Sequence, residues 1–108
     1  MQVQLWPEDQ SNPKFVDIAD DGIDQLRDLQ ALVHGYVEMV HTAALDRVKN
    51  VVLCDEDARI KGAKPNYKAT TAVGFAATLY GPIVVCGINP AGSKWTSINK
   101  TMEEARNA

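Results

Sequence analysis

The sequence has few of the features that mark membrane proteins or small secreted proteins. Only two cysteines occur among its 108 residues, and its apolar runs, such as residues 83–86, are at most four residues long. Such runs are far too short to cross a bilayer, and two cysteines do not make a secreted disulfide framework. The first residues contain neither the basic nor the apolar segment of a secretory signal peptide. We therefore expect a cytoplasmic protein without a membrane partner.

An excess of basic charge is also absent. The chain has 14 acidic and 11 basic residues, for a formal net charge of −3. General nucleic-acid binding is not expected, because its affinity comes largely from clustered lysine and arginine. Residues 49–68 nevertheless contain five basic against three acidic residues, so this part of the chain is compatible with an anionic ligand.

The length and the apolar pattern predict a single α+β domain over residues 1–108. A chain of this size has room for one core and excludes a large catalytic fold. Apolar residues recur at near-helical spacing over residues 23–33, which predicts one amphipathic helix packed on a sheet. Asp20 and Asp21 are expected to cap its first turn, and Gly35 is expected to take the left-handed conformation that ends it.

The remaining patterns predict a mostly antiparallel sheet of about five strands. The predicted strands are residues 3–6, 14–18, 36–42, 50–54 and 83–86, the first two forming a hairpin. Residues 43–49 are expected to be a loop, and residues 55–58 a tight turn into a short return strand, 59–61. Residues 66–80 fit helix or strand equally. A short C-terminal helix, capped by Thr96 or Ser97, is expected to carry Ile98 and Met102.

Three sequence features superficially resemble ligand or metal sites. Each lacks the residue order or the spacing that its site requires. Residues 87–94 form a glycine-containing loop after a strand, but Ser93 and Lys94 are in the wrong order for a nucleotide-hydrolysing phosphate loop. Its backbone N–H groups are still expected to suit an anion. Residues 55–60 place arginine and isoleucine where a calcium loop needs an oxygen ligand and a glycine. The histidines and cysteines lack the close spacing of zinc ligands. We therefore expect no metal and no cofactor.

Candidates for catalysis are few. No serine or cysteine lies in a nucleophile elbow. Cys54 and Cys86 each end an apolar run, which predicts buried core thiols.

Glu38 is the most notable carboxylate in the sequence. It shares one face of its predicted strand with Tyr36 and Val40. If that face is buried, the carboxylate needs a basic partner, for which Arg59 and Lys61 are the candidates. The alternative is an exposed strand face.

Four segments in a fixed order resemble one known family. They are residues 32–40, 52–62, 65–70 and 81–87, with a Gly-Tyr-Val-Glu strand entry, an Asp-Glu turn, an asparagine upstream of an Ala-Thr pair, and a late apolar strand. Over residues 17–87 the chain resembles the proteins of domain of unknown function 3846, which occur in bacteria, bacteriophages and plasmids. Ala58 stands where this family usually has a turn glycine. A left-handed Ala58 would cost about 1 kcal/mol, so either the turn type differs or the strain is tolerated.

The resemblance implies a genomic context and a fold but no activity. We expect a non-enzymatic accessory protein of phage or mobile-element type, which sequesters a small anionic, nucleotide-like ligand or blocks a host factor, as in counter-defence. Aromatic rings can stack on a base, lysine can contact a phosphate, and asparagine can bond a base edge. The candidate ligand-binding residues are Gly35, Tyr36, Glu38, Arg59, Lys61, Asn66, Thr70, Lys94 and Trp95.

Two alternatives and one question stay open. The first alternative is a small hydrolase with Glu38 or Asp55 as its general base. The second is a protein-interaction module whose working face is the run of five acids within residues 17–28. The sequence also leaves self-association undecided.

Overall fold

A computed structural model of the protein describes residues 1–99 and confirms the α+β fold. These 99 residues form six strands and three helices. In chain order they are β1 (Gln2–Trp6), β2 (Lys14–Asp17), α1 (Gly22–Val33), β3 (Val37–Val40), α2 (Ala43–Asp46), β4 (Asn50–Asp55), α3 (Tyr67–Val73), β5 (Ile83–Ile88) and β6 (Trp95–Thr96).

The strands form one antiparallel sheet in the order β2-β1-β5-β4-β3, and β6 pairs with the end of β5. The predicted hairpin is confirmed as the β1–β2 pair. Every residue of β4 is buried, as is nearly all of β5. Such continuous apolar runs are expected for strands covered on both faces. β5 is therefore the central buried strand, as its sequence predicts.

Helices cover both faces of the sheet, whereas the sequence predicted a helix on one face only. α1 packs on a face that we call the α1 face, and α2 and α3 cover the opposite face, the α3 face. The α1-face core consists of Val3, Leu29, Val33, Val51, Leu53, Val84 and Cys86. The α3-face core consists of Trp6, Leu45, Val52, Cys54, Ala69, Ala72, Val73, Leu79, Ile83 and Val85.

Two segments differ from their predicted conformation, and the structure decides a third that was ambiguous. Residues 43–49 contain α2 instead of only a loop, because Thr42 caps this short helix by accepting a hydrogen bond from the Leu45 N–H at 3.2 Å. Residues 59–61 form successive turns rather than a return strand. The ambiguous segment 66–80 begins with α3, which ends where Gly74 turns left-handed with φ 74°.

Ala58 does not take the left-handed conformation considered for this turn position. Its φ is not positive, and its N–H donates to the Asp55 carbonyl at 3.2 Å. The backbone strain considered for this position is therefore avoided.

The ends of the chain also correct the local predictions. Asp21 occupies the N-cap of α1 but makes no side-chain capping bond, and the Asp20 carboxylate accepts instead from the Met1 amino group. Trp95 and Thr96 form β6, and no helix begins before residue 100. The rest of the predicted C-terminal helix, including Met102, lies outside the described residues. None of the helices within residues 1–99 has the length and apolar character needed to cross a membrane.

The cysteines confirm the expectation of buried thiols. Cys54 and Cys86 lie on adjacent strands, but Cys54 belongs to the α3-face core and Cys86 to the α1-face core. Both are free, and because they point to opposite faces they cannot form a disulfide with each other. Burial raises the pKa of each thiol to about 12.

We predict that neither thiol reacts with a disulfide reagent in the folded protein at about pH 8, because both are protonated and shielded. In denaturant, both should react at the rate of an ordinary thiol. A colorimetric count of titrated thiols, with and without denaturant, checks this. Rapid labelling of the native protein at either cysteine would contradict the placement of that thiol.

Candidate functional site

A buried carboxylate organises one end of the sheet. Asp55, the last residue of β4, is only 6% exposed. Its carboxylate accepts from the Lys61 ammonium at 2.6 Å and from the Asp57 N–H at 3.0 Å. Burial by itself would raise the pKa of Asp55, but these two donors outweigh it and lower the pKa below its ordinary value. Asp55 is therefore ionised at neutral pH and a weak general base.

Lys61, a predicted ligand residue, serves this same cluster. Besides Asp55, its ammonium donates to the His34 carbonyl at 2.8 Å, at the C-terminal end of α1. The lysine thus connects the end of a helix to the end of a strand. The Lys61 ammonium, which was expected to contact a phosphate, therefore already has two partners within the protein.

Gly35 is required for a different reason from the one its position predicts. His34, not Gly35, takes the left-handed conformation after α1, with φ 66°. A Cβ atom on Gly35 would lie 2.5 Å from the Asp55 carboxyl carbon, well inside van der Waals contact. The glycine therefore permits close packing of the backbone on the buried carboxylate.

Asn66 is fully buried and bonded on every side. Its amide nitrogen donates to the carbonyls of Trp6, Pro7 and Gly81 at 2.9–3.1 Å. Its amide oxygen accepts from the Ala69 N–H at 3.1 Å and so caps α3. The side chain joins β1, α3 and the segment before β5, which leaves it no open position for a ligand.

The Thr70 side chain is likewise hydrogen-bonded within the fold. Its hydroxyl donates to the Asn66 carbonyl at 2.8 Å and accepts from the Leu79 N–H at 3.0 Å. Asn66 and Thr70 together hold the irregular segment after α3 against the sheet.

Glu38 and Arg59 line a shallow groove of about 220 Å³ on the α3 face, beside β3. We call it the edge groove; it is lined by Glu38, Val40, Glu56, Arg59, Phe75 and Tyr80. Glu38 is exposed, which confirms the exposed-face alternative. Arg59 lies over the Tyr80 ring at 5.8 Å, a cation–π arrangement. Tyr36, which precedes β3, is 70% exposed.

Lys94 and Trp95 lie apart from these residues, in a cleft of about 320 Å³ on the α1 face. We call it the α1 cleft; it is lined by Asp21, Gly22, Gln25, Met39 and residues 92–95. Trp95 is partly buried against the α1-face core, and Lys94 is exposed. The cleft therefore combines an ammonium group, an aromatic ring and a carboxylate.

The loop that leads into the α1 cleft is bonded internally. The N–H groups of Ser93 and Lys94 donate to the Asn89 side chain at 2.9 and 3.2 Å, and the Gly92 N–H donates to the Asn89 carbonyl at 2.9 Å. The expectation that these N–H groups hold an anion is not supported, because each is already used. Negative charge in the cleft would have to meet the Lys94 side chain.

The nine predicted residues thus separate into three groups. Gly35, Lys61, Asn66 and Thr70 hold the fold together; Glu38 and Arg59 line the edge groove near Tyr36; and Lys94 and Trp95 line the α1 cleft. Sequence reasoning missed Tyr80 and Phe75 in the groove and Gln25 in the cleft. No local signal identifies them, because each joins its site through long-range packing.

The acidic run near α1 is largely engaged in local contacts. Asp20 pairs with the Met1 amino group, Asp24 lies 3.7 Å from Arg27, and Asp28 accepts from the Ala19 N–H at 3.0 Å. Within residues 1–99, no three His, Cys, Asp or Glu side chains gather in a geometry that would hold a metal ion.

Comparison with protein families identifies the chain. The family model described as Domain of unknown function (DUF3846) matches residues 1–107. The chain belongs to the DUF3846 family. This match extends on both sides of the residues 17–87 on which the resemblance rests. Searches of curated proteins and of solved structures found no match to this DUF3846 protein.

We predict that Gly35→Ala destabilises the protein by about 2–4 kcal/mol, because the new methyl group overlaps the Asp55 carboxylate. Urea unfolding measures the loss. In an Asp55→Ala background the same glycine substitution should cost markedly less, since the overlapping atoms are gone. An equal cost in both backgrounds would assign the effect of Gly35→Ala to some other contact.

Asp55→Asn is expected to lower the free energy of unfolding by about 1–3 kcal/mol at neutral pH. A carboxyl group with a lowered folded pKa stabilises the protein above its ordinary pKa of 3.8 and loses this effect as the pH falls through the folded value. The difference between wild type and variant should therefore shrink below pH 3.8. Urea unfolding across the acid range measures it, with Glu56→Gln as the exposed-turn control. A difference independent of pH would contradict the Asp55–Lys61 pair.

Proposed function

We propose that this DUF3846 protein is a non-enzymatic binding protein that sequesters a nucleotide-like anion in the α1 cleft. The observation that carries the proposal is the presence of Lys94 and Trp95 in one concavity. Its volume of about 320 Å³ is near the lower limit for small-ligand pockets. An aromatic ring held by the core can stack on a base, and an exposed lysine can contact a phosphate.

The polar lining favours a nucleotide over a simple anion. Asp21 and Gln25 belong to the same cleft as Lys94. A carboxylate repels a bare anion but accepts hydrogen bonds from sugar hydroxyls or from a base edge. A ligand that offers a phosphate, hydroxyl groups and a flat ring satisfies all of these groups at once.

Binding rather than catalysis is supported by the state of the reactive groups. The thiols of Cys54 and Cys86 are buried with pKa values raised to about 12, and Asp55 is held ionised by Lys61. A thiol nucleophile needs a lowered pKa, and a general base works best with a pKa near the operating pH. These groups suit a core and a structural ion pair.

We further infer a cytoplasmic, phage- or mobile-element-type accessory protein that acts by removing its ligand from the host. Buried free cysteines fit a reducing compartment. The resemblance supplies the genomic setting, and a counter-defence role is the corresponding hypothesis.

The test is a calorimetric titration with adenosine and guanosine monophosphates, the corresponding uncharged nucleosides, and inorganic phosphate. We expect the nucleotides to bind and both partial ligands to bind about tenfold more weakly. Trp95→Ala and Lys94→Glu should each weaken nucleotide binding by about tenfold. Lys64→Glu, the same charge change at an exposed lysine outside the cleft, should leave binding unchanged.

The fate of the ligand decides between sequestration and hydrolysis. After denaturation of the complex, mass spectrometry should recover the nucleotide intact. A changed product would establish catalysis instead. Equal effects of Lys94→Glu and Lys64→Glu would reject the α1 cleft as the site.

A further inference from the structure

β3 is an edge strand that can accept another strand. It stands at the end of the strand order and pairs with β4 on one side, and no further strand lies beyond it within residues 1–99. An open edge presents backbone N–H and C=O groups that an extended peptide can bond.

The register of β3 on β4 identifies the outward-facing groups. The Glu56 N–H donates to the Tyr36 carbonyl at 3.1 Å, directly before the paired residues Val37 and Asp55. Inward and outward bonding alternate along an antiparallel strand. The N–H and C=O groups of Val37 and Met39 therefore face away from β4, whereas those of Glu38 face towards it.

The two faces of this edge differ in character. Val37 and Met39 lie on the α1 face, where Met39 is 41% exposed and Val37 packs at the border of the core. Glu38 and Glu56 lie on the α3 face, where both are exposed and line the edge groove. The apolar side therefore suits apolar partners, and the acidic side suits a positive charge.

The charges in the groove also favour a basic residue of the partner. The nearby Asp55 carboxylate is neutralised by Lys61, and Arg59 is stacked over Tyr80. Two carboxylates, Glu38 and Glu56, then stand against the one guanidinium of Arg59, which leaves the groove with a net charge of −1. A residue directly opposite Glu38 on an added strand would have its Cβ atom about 5 Å from the Glu38 Cβ atom, on the same face.

We propose that β3 docks an extended segment of a partner protein in which a basic residue stands between two apolar residues. The apolar residues pair with Val37 and Met39, and the basic residue lies opposite Glu38. This proposal does not rest on nucleotide binding, although Met39 also lines the α1 cleft. A second copy of the chain fits less well, because antiparallel self-pairing centred on β3 would set Glu38 against itself, and like charges directly opposite are destabilising.

The experiment uses a capped peptide of about seven residues in which valine and lysine alternate, and a matched peptide with glutamate in place of lysine. Heteronuclear NMR of the intact protein should show slowed hydrogen exchange at the Val37 and Met39 N–H groups on addition of the lysine peptide. The amides of Glu38 and Val40, already bonded to β4, should change much less.

A charge swap isolates the contact at Glu38. Glu38→Lys should weaken binding of the lysine peptide by about tenfold and restore binding of the glutamate peptide. Glu38→Gln, which keeps the size but removes the charge, should give an intermediate affinity for the lysine peptide. Glu38 lies outside the α1 cleft, so nucleotide binding should be unchanged in both variants; Met39, which lines the cleft, is left intact.

Several results would overturn the proposal. They are equal binding of the two peptides, failure of the charge swap, and protection at amides other than Val37 and Met39. Protection of these two amides in the absence of peptide, together with a dimeric mass in solution, would assign the edge to a second copy of the chain.

Discussion

The Asp55 carboxylate is withdrawn from water at the end of β4, and the surrounding chain is arranged to satisfy it. Lys61 and the Asp57 N–H donate to it, and Gly35 leaves room for it. A buried charge without partners would be strongly destabilising, so the chain segments that meet here have little freedom. The C-terminal end of α1, the start of β3 and the turn after β4 are fixed together around one group.

This constraint determines the geometry of the β3 edge. Because Gly35 packs on Asp55, the chain enters β3 in the register that pairs Glu38 with Cys54. A shift by one residue would move every side chain of the strand to the opposite face. Glu38 would then leave the edge groove, and Met39 would leave the α1 face. The packing of Gly35 on Asp55 thus also fixes which side chains lie at the β3 edge.

A second polar centre serves the other side of the molecule. Asn66 donates to carbonyls at the end of β1 and in the segment before β5. The contacts of Asp55 and Asn66 explain why the fold itself uses Gly35, Lys61, Asn66 and Thr70. The α1 cleft and the edge groove lie on opposite faces of the sheet, although Met39 of β3 lines the cleft.

Local patterns in the sequence predicted much of the framework. The apolar spacing of residues 23–33 gave α1 almost in full, and the apolar run at residues 83–86 identified the central strand. Burial of one face imposes such a period within a single element. The period located α1 better than it located the buried face, because Ile23 and Leu26 are exposed and Gln25 is buried. The short helix α2 was missed, since four residues are too few to show a helical period. Residues 59–61 form turns although the sequence predicts a strand there, because Ile60 between Arg59 and Lys61 fits a short alternating pattern.

The candidate site was less predictable than the fold. Asn66 and Lys61 have side chains of a kind that often contacts ligands. The sequence alone could not reveal that both side chains already bond to other parts of the chain. The carbonyls bonded by Asn66 lie 15 to 60 residues away. By itself, the sequence determined α1, the strands β1 to β5, the buried thiols and the family of the protein. Only the tertiary structure decided which polar groups remain available for binding, because the partners of a buried polar group come from distant segments that folding brings together.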